Sequence, residues 1–458
     1  MRTDTQRAAK YDAKTIPASV AAIVAAVLPG MRLNFRDPFG SMDLVEKEQQ
    51  TQGLLNAAGT PTIQYPLYLD FVRLIWRMSN AGIAGPALAT IAAGIMKSWQ
   101  ARGLGLSTLQ TLALNTANTW PPAPAISVGT HPQAVLVNPA LNKAYVANLD
   151  SNSVTVIDTI TGTVLATVTT SANPQALCLN TLNNRVYAAC AGTNRVTVIS
   201  GTTNAVLTTV TVQNAPSSLC YNQTNNKVYS ADYGSDRVSV IDGTSHAVLA
   251  TIIVGLGPLW VCYNVTNNKV YCGNDGSANV TIIDGATNGI LATVAVGTNP
   301  DVLCYNPNSN KVYTANAGSD DVSIIDGATN AVLATPAVGM GAFAVFHNPT
   351  DNKVYCTNLA GNSVSVISGT TNLVTATVAT GVGPRLICHN TIDDKVYVAN
   401  YTAGTVTIIA GATNAVLATV TCAAGSWQID YDVTHNKVYV ANYNANSVSI
   451  IDGKYNKL

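Results

Sequence analysis

The chain has 458 residues, a formal charge of zero and only 10% charged residues, against about 25% in an average soluble protein. The charge is split: residues 1–119 hold 11 Lys/Arg and 7 Asp/Glu, while residues 120–458 hold 13 and 17. Nucleic acid demands a basic stripe, and the long acidic-leaning part has none, so nucleic acid is excluded as a partner.

Residues 1–119 predict a small, mainly α anchoring domain. Ile16–Leu28 is rich in Ala and Val and stops at Pro29-Gly30. Tyr65–Met78 places Leu67, Phe71, Leu74 and Ile75 at helical spacing. Pro86–Ala101 and Ser107–Asn115 follow, with Ser107 as an N-cap. Thr15–Met31 is uncharged after a basic start, like a signal peptide, but its leader is long and contains Asp4 and Asp12, so cleavage is not expected. Met78–Met96 is uncharged for 19 residues yet carries Asn80, Gly82, Gly85, Pro86 and Gly94. That is too weakly apolar for a span, and no membrane partner is expected. Small-residue helices of this kind suit packing against the other structural proteins of a larger assembly. Thr119-Trp120-Pro121-Pro122 reads as the linker.

From there the chain repeats. The triplets Lys143-Ala144-Tyr145, Arg185-Val186-Tyr187, Lys227-Val228-Tyr229, Lys269-Val270-Tyr271, Lys311-Val312-Tyr313, Lys353-Val354-Tyr355, Lys395-Val396-Tyr397 and Lys437-Val438-Tyr439 recur at a step of 42, with no insertion or deletion. In the copy from Asn299 to Gly339, four short apolar or alternating runs (Asp301–Asn306, Lys311–Asn316, Asp321–Asp326, Ala331–Val338) are separated by Gly/Asn/Asp/Ser turns. That is strand-and-turn grammar without helical period. Four strands in a unit of this length make a propeller blade. The fold class is therefore an all-β eight-bladed β-propeller over 120–458. The eighth repeat ends at Asp452-Gly453 after three strands, and Pro124–Gly129 matches the missing fourth. The N-terminal strand is expected to close the last blade, which removes a raw edge.

Tyr397-Val398-Ala399-Asn400, Tyr439-Val440-Ala441-Asn442 and Tyr145-Val146-Ala147-Asn148 resemble the signature tetrapeptide of the YVTN-type β-propeller repeats. The Val-Ser-Val-Ile-Asp strands and Val-Gly-x-x-Pro linkers are similar to that family too, and the likeness covers about residues 124–453. The resemblance implies a propeller often found in surface-layer and extracytoplasmic proteins, and implies no shared catalytic residue. Tyr187-Ala188-Ala189-Cys190 and Tyr229-Ser230-Ala231-Asp232 depart from the pattern.

The chemistry-bearing residues mostly sit in repeated slots. Cys178, Cys220, Cys262, Cys304 and Cys388 share one register of the innermost strand with Leu136 and Phe346, which predicts a buried apolar slot. Cysteines 42 apart lie in neighbouring blades whose inner strands do not pair, so all nine are expected to be reduced, as in a cytosolic product. Asp158, Asp242, Asp284, Asp326 and Asp452 share a slot with Ser200 and Ser368 ahead of a turn, which predicts bonds to turn amides. His347 and His389 share the register of Tyr221, Tyr263, Tyr305 and Tyr431 and read as polar-tipped packing residues. No metal, cofactor or catalytic residue is expected.

One register does not repeat its chemistry: Gln133, Gln175, Ser217, Leu259, Asp301, Phe343, Arg385 and Trp427. It is expected in the loop that enters each inner strand, near the channel mouth, with Trp260 on the same rim. The loops at Leu149-Asp150-Ser151, Tyr233-Gly234-Ser235, Tyr401-Thr402-Ala403 and Tyr443-Asn444-Ala445 vary on the same face, while the opposite face carries repetitive turns. Varied loops on a rigid scaffold are where binding resides. The candidate binding residues are Gln133, Gln175, Leu259, Trp260, Asp301, Phe343, Arg385 and Trp427.

These features predict a non-enzymatic structural or display protein, anchored through residues 1–119, whose propeller presents one face to a cell-surface glycan or protein. An uncleaved start, reduced thiols and a surface-type ring point to a virion component of phage-like kind, at the virion surface. The alternative is a cellular surface or envelope protein, S-layer-like; a propeller enzyme is the third expectation and would need clustered carboxylates or histidines at the channel.

Overall fold

The computed structural model describes residues 125–458. The helical segments, and the signal-like and uncharged stretches expected before residue 119, lie outside these residues.

Blade 1 shows how one repeat folds. Its strands run from the centre outward as β2 (Pro132–Asn138), β3 (Lys143–Asn148), β4 (Ser153–Asp158) and β5 (Val164–Thr169), all antiparallel. Both faces of β3 are buried, so its sequence is apolar on both. Ala144 and Val146 pack with Tyr439 and Val448 of blade 8, while Tyr145 packs with Val186 and Ala188 of blade 2. Fully burying a side chain of this size stabilises by about 1.5–3 kcal/mol, and the repeat tyrosine is fully buried in all eight copies.

Each blade is also tied to the next by the repeat's cation. Lys143 Nζ donates to Gly201 O at 2.5 Å and Lys227 Nζ to Gly285 O at 2.9 Å, both carbonyls lying in the third-to-fourth-strand turn of the following blade. All the repeat tyrosine hydroxyls but that of Tyr313 reach the same carbonyls, Tyr229 Oη donating to Gly285 O at 3.2 Å. The Asn that ends the second strand serves its own blade: Asn148 Nδ2 donates to Ser153 Oγ and Thr155 Oγ1.

Eight sheets of four strands result. The eighth is completed by β1 (Ile126–Ser127), which pairs antiparallel with Ser447–Asp452. The fold class and the strand that closes the ring are as the repeat predicts. Lys437 Nζ crosses the join to Thr159 O at 2.8 Å. One outer strand is shorter than expected. Val332–Ala334 is followed only by an isolated bridge between Asp321 and Ala337. Pro336 has no N–H to give the ladder, which an edge position tolerates, and its carbonyl still accepts from Val322 N.

The repeated slots hold their expected roles. Asp158 Oδ1 accepts from the backbone N–H groups of Ile160 and Thr161, and Asp326 Oδ1 from those of Ala328 and Thr329. These amide bonds lower both carboxyl pKa values. All nine cysteines are free thiols, and burial pushes those of Cys178 and Cys262 up to about 12. The slot they share is not wholly apolar: its eighth copy is Asp430, whose Oδ2 accepts from Val137 N at 2.7 Å across the join.

Candidate binding site at the channel mouth

The residue that varies from blade to blade is not in a loop, as the sequence suggested. It is the second residue of each inner strand, skipped by the pairing: the register shifts between Pro132 and Ala134, Pro216 and Ser218, Ala342 and Ala344, and Ser426 and Gln428. A bulge frees one residue from the ladder and re-aims its side chain. Ahead of it lies a left-handed residue in every blade: Gly257, Gly341, Gly383 and Gly425, and also His131, Asn173, Ala215 and Asn299 at φ between 53° and 56°. Its carbonyl accepts from the first residue of the second-to-third-strand loop, as from Tyr401 N to Gly383 O at 2.8 Å and Tyr443 N to Gly425 O at 2.7 Å. Each varied loop is thus pinned above a bulge.

The bulge side chains lean toward the next blade. Gln175 Nε2 donates to Pro216 O at 2.8 Å, and Ser217 Oγ to Leu259 O at 2.9 Å. Gln175, a candidate, and Ser217, in the same register, are thus engaged in stitching blades. In blades 6 to 8 the same lean assembles a cation–aromatic cluster. The Arg385 guanidinium lies 5.1 Å from the Phe343 ring centre, 4.8 Å from that of Tyr401 and 3.8 Å from that of Trp427. Tyr401 meets Trp427 edge-on at 5.2 Å, Trp427 meets Tyr443 at 5.2 Å, and Tyr443 stacks on His131 at 4.3 Å with an interplanar angle of 12°. His131 Nδ1 is held by Asp150 Oδ2 at 2.5 Å. Side chains from blades 6, 7, 8 and 1 therefore form one continuous half-exposed surface. Each such cation–ring contact contributes about 0.5–2 kcal/mol, more as water is excluded.

Of the sequence-predicted residues, the structure brings together Phe343, Arg385 and Trp427. Asp301, one blade before Phe343, is close enough for its charge and that of Arg385 to act on one another. Burial, reinforced by Asp275, pushes the Asp301 carboxyl up to about 7 against the pull of Arg385. Gln133 and Leu259 occupy bulges elsewhere around the mouth. Trp260 does not join the cluster. It pairs with Gly273, where other blades carry a larger residue, and packs in the core between blades 4 and 5 with Tyr271 and Leu303. Tyr401, Tyr443 and His131 were missed as site residues. The signal for His131 was a ring in a slot that other blades fill with Gly, Ala or Asn, while the slot of Tyr401 and Tyr443 also holds Leu149, Tyr233, Asp275 and Leu359 and so varies like the bulge register itself. The linkers beside the cluster expose Met340 and Val382, at 62% and 51%. Among the described residues, no group of three or more His, Cys, Asp or Glu side chains is placed to hold a metal ion.

Residues 81–284 match the model of the YNCE-like β-propeller family. That match is consistent, at the level of family, with the YVTN-type β-propeller resemblance. No curated protein matches the chain. Among solved structures, the chain is similar to hydrazine synthase of Kuenenia stuttgartiensis at 16% identity and TM-score 0.52, over 71% of this chain and 97% of that one. It is similar to the dihydro-heme d1 dehydrogenase NirN, solved in complex with DHE, at 12% identity and TM-score 0.61, over 77% and 82%. A chain of a mitotic checkpoint complex matches at 12% identity and TM-score 0.52, over 60% and 85%. At these identities the likeness is one of fold, and a fold shared by enzymes and a checkpoint assembly does not name a chemistry.

Proposed function

We propose that the propeller is a non-catalytic binding module whose partner docks on the mouth between blades 6 and 1, and that residues 1–119 fasten it to a larger assembly. The observation that supports this reading is the cluster of Phe343, Arg385, Tyr401, Trp427, Tyr443 and His131, drawn from four blades onto one surface. Aromatic and arginine side chains dominate binding hot spots, and the exposed Met340 and Val382 extend the apolar area beside them. Propellers serve as interaction platforms, and one of the similar structures is a chain of a multi-protein checkpoint complex. Nine free thiols support assembly in a reducing compartment. A particle built there and later displayed, virion-like, is the setting this reading favours over an envelope-anchored one. Sedimentation with particles, lost when residues 1–119 are removed, supports that setting; recovery with the cell envelope refutes it.

The docking surface is tested by Phe343→Ala combined with Trp427→Ala. Truncating two anchors of this kind is expected to weaken attachment to a cell or partner surface at least about tenfold. The matched control is Leu182→Ala with Ile392→Ala, exposed at 71% and 56% in the first-to-second-strand loops of the opposite face. The turn residues Thr329 and Asn330 would make a poor control. Asn330 Oδ1 accepts from Lys269 Nζ at 2.8 Å, and Thr329 Oγ1 donates to Asp326. Equal loss from both pairs, or loss from neither, would remove the mouth as the docking surface.

A further inference from the structure

We infer that Arg385 is the receptor for a carboxylate group, carried on an apolar or planar body that lies across Phe343 and Trp427. This deepens the docking reading above and rests on it, since it names the chemical group that the mouth takes.

Three rings surround the guanidinium, their centres 3.8 to 5.1 Å from its carbon, and a ring offers no acceptor oxygen to its N–H groups. Its Nε is buried without a hydrogen-bond partner. A buried donor of a charged group left unpaired carries a desolvation penalty that nothing offsets. Elsewhere on this mouth such groups are spent on protein: Gln175 and Ser217 donate to carbonyls of the following blade. Arg385 occupies the same bulge register and leans the same way, but there meets an indole instead of a carbonyl.

Charge and shape narrow the ligand. The acid whose charge reaches Arg385 is Asp301, and the structure records no ion pair between the two. Asp301 is itself held toward its neutral form by burial and by Asp275, so it neutralises the guanidinium only in part. A planar fork of N–H donors matches the two oxygens of a carboxylate in a way that an ammonium does not. The rings of Phe343, Tyr401 and Trp427, with Met340 and Val382 on the rim, supply apolar area for the body that carries it. The competing account is that Arg385 is only a strut between blades, in which case a neutral ligand of the same shape should bind as well.

The full chain can be titrated with benzoate and with its neutral counterpart benzamide, reading the fluorescence component lost in Trp427→Phe. Benzoate should saturate the signal and bind at least about tenfold more tightly than benzamide, the gain of a charge-assisted bidentate pair. In Arg385→Gln that preference should shrink to within about twofold, and Arg385→Lys, which keeps the charge without the fork, should restore part of it. Arg385→Lys also stands as the folded variant if the Gln form is unstable. Equal binding of the two probes, an undiminished preference in Arg385→Gln, or no saturation by benzoate would each overturn the carboxylate assignment. The docking surface is judged separately. If the Phe343→Ala, Trp427→Ala pair abolishes attachment while benzoate is indifferent to Arg385, the mouth is still the docking surface and the carboxylate is wrong.

Discussion

Deleting residues 124–130 is expected to destabilise the whole propeller, whereas deleting residues 1–119 should leave the stability of the ring unchanged. The closing strand is short, two residues paired as Ile126 with Val448 and Ser127 with Ser447, and Val128 N adds a bond to Asn446 O at 3.0 Å. Its weight lies in what it covers. Ile126 and Val128 pack against the cluster of Tyr439, Ala441 and Val448, continuous with Val135 and Val146 of blade 1. Ile126 and Val128 are partly buried, so losing both removes roughly 2–3 kcal/mol of burial. The outer edge of Ser447–Asp452 is then left unpaired, which invites association with a second chain. The other ties across the join stay in place: Gln428 Oε1 accepts from Val135 N, Asp430 from Val137 N, and Lys437 donates to Thr159. Urea unfolding of the two deletions measures the difference. A shift below about 1 kcal/mol for the 124–130 deletion would mean that these remaining bonds close the ring without the strand.

The join also shows which parts of this molecule the sequence could disclose. A slot filled eight times by the same chemistry declares its role by repetition. The turn aspartates bond the turn amides as their slot predicts, and Lys143 and the buried tyrosines, with their copies, likewise hold one role around the ring because each copy meets the same neighbours. The blade count and the closing strand followed from the period alone. Single departures from the repeat are harder to interpret. Asp430 sits in a register of cysteines, leucine and phenylalanine, and the repeat offers no reason for it. The reason is spatial: at the join its carboxylate meets the inner edge of blade 1. Trp260 looked like a rim residue, but one position along a strand reverses the face, and its indole lies between blades where Gly273 makes room. Tyr443 and His131 are 312 residues apart in sequence and stack only because the ring closes. That neighbourhood cannot be read from a single repeat. The bulge that aims Phe343, Arg385 and Trp427 was taken for a loop, since a skipped pairing leaves no compositional mark.

Asp430→Asn is expected to raise the stability of the protein at pH 8 while leaving it nearly unchanged at pH 4. The carboxyl lies between the inner strands of blades 8 and 1, and burial pushes its pKa from 3.8 up to about 6, against the bonds from Val137 and Tyr431 amides that favour the charged form. An acid whose pKa rises on folding stabilises the native state while both states are protonated. That contribution is lost as pH climbs through the folded value. The window therefore runs from about pH 4 to about pH 6 or 7, and across it the cost of the buried charge is on the order of 3 kcal/mol. Asn keeps an oxygen for Val137 N and carries no charge, so the variant escapes the loss. Asp232, pushed up to about 6, and Asp301, up to about 7, act in the same direction in both proteins. Their contribution cancels when wild type is compared with the variant. The turn aspartates, whose pKa values are lowered by amide bonds, act in the opposite direction and below this window. Urea midpoints at pH 4, 6 and 8 should thus converge for the two proteins at low pH and separate at high pH, with Asn above wild type. If the separation is the same at all three values, the side chain matters through its bonds and not its charge. If wild type is the more stable at pH 8, the carboxylate at the join is a net tie between the first and last blades.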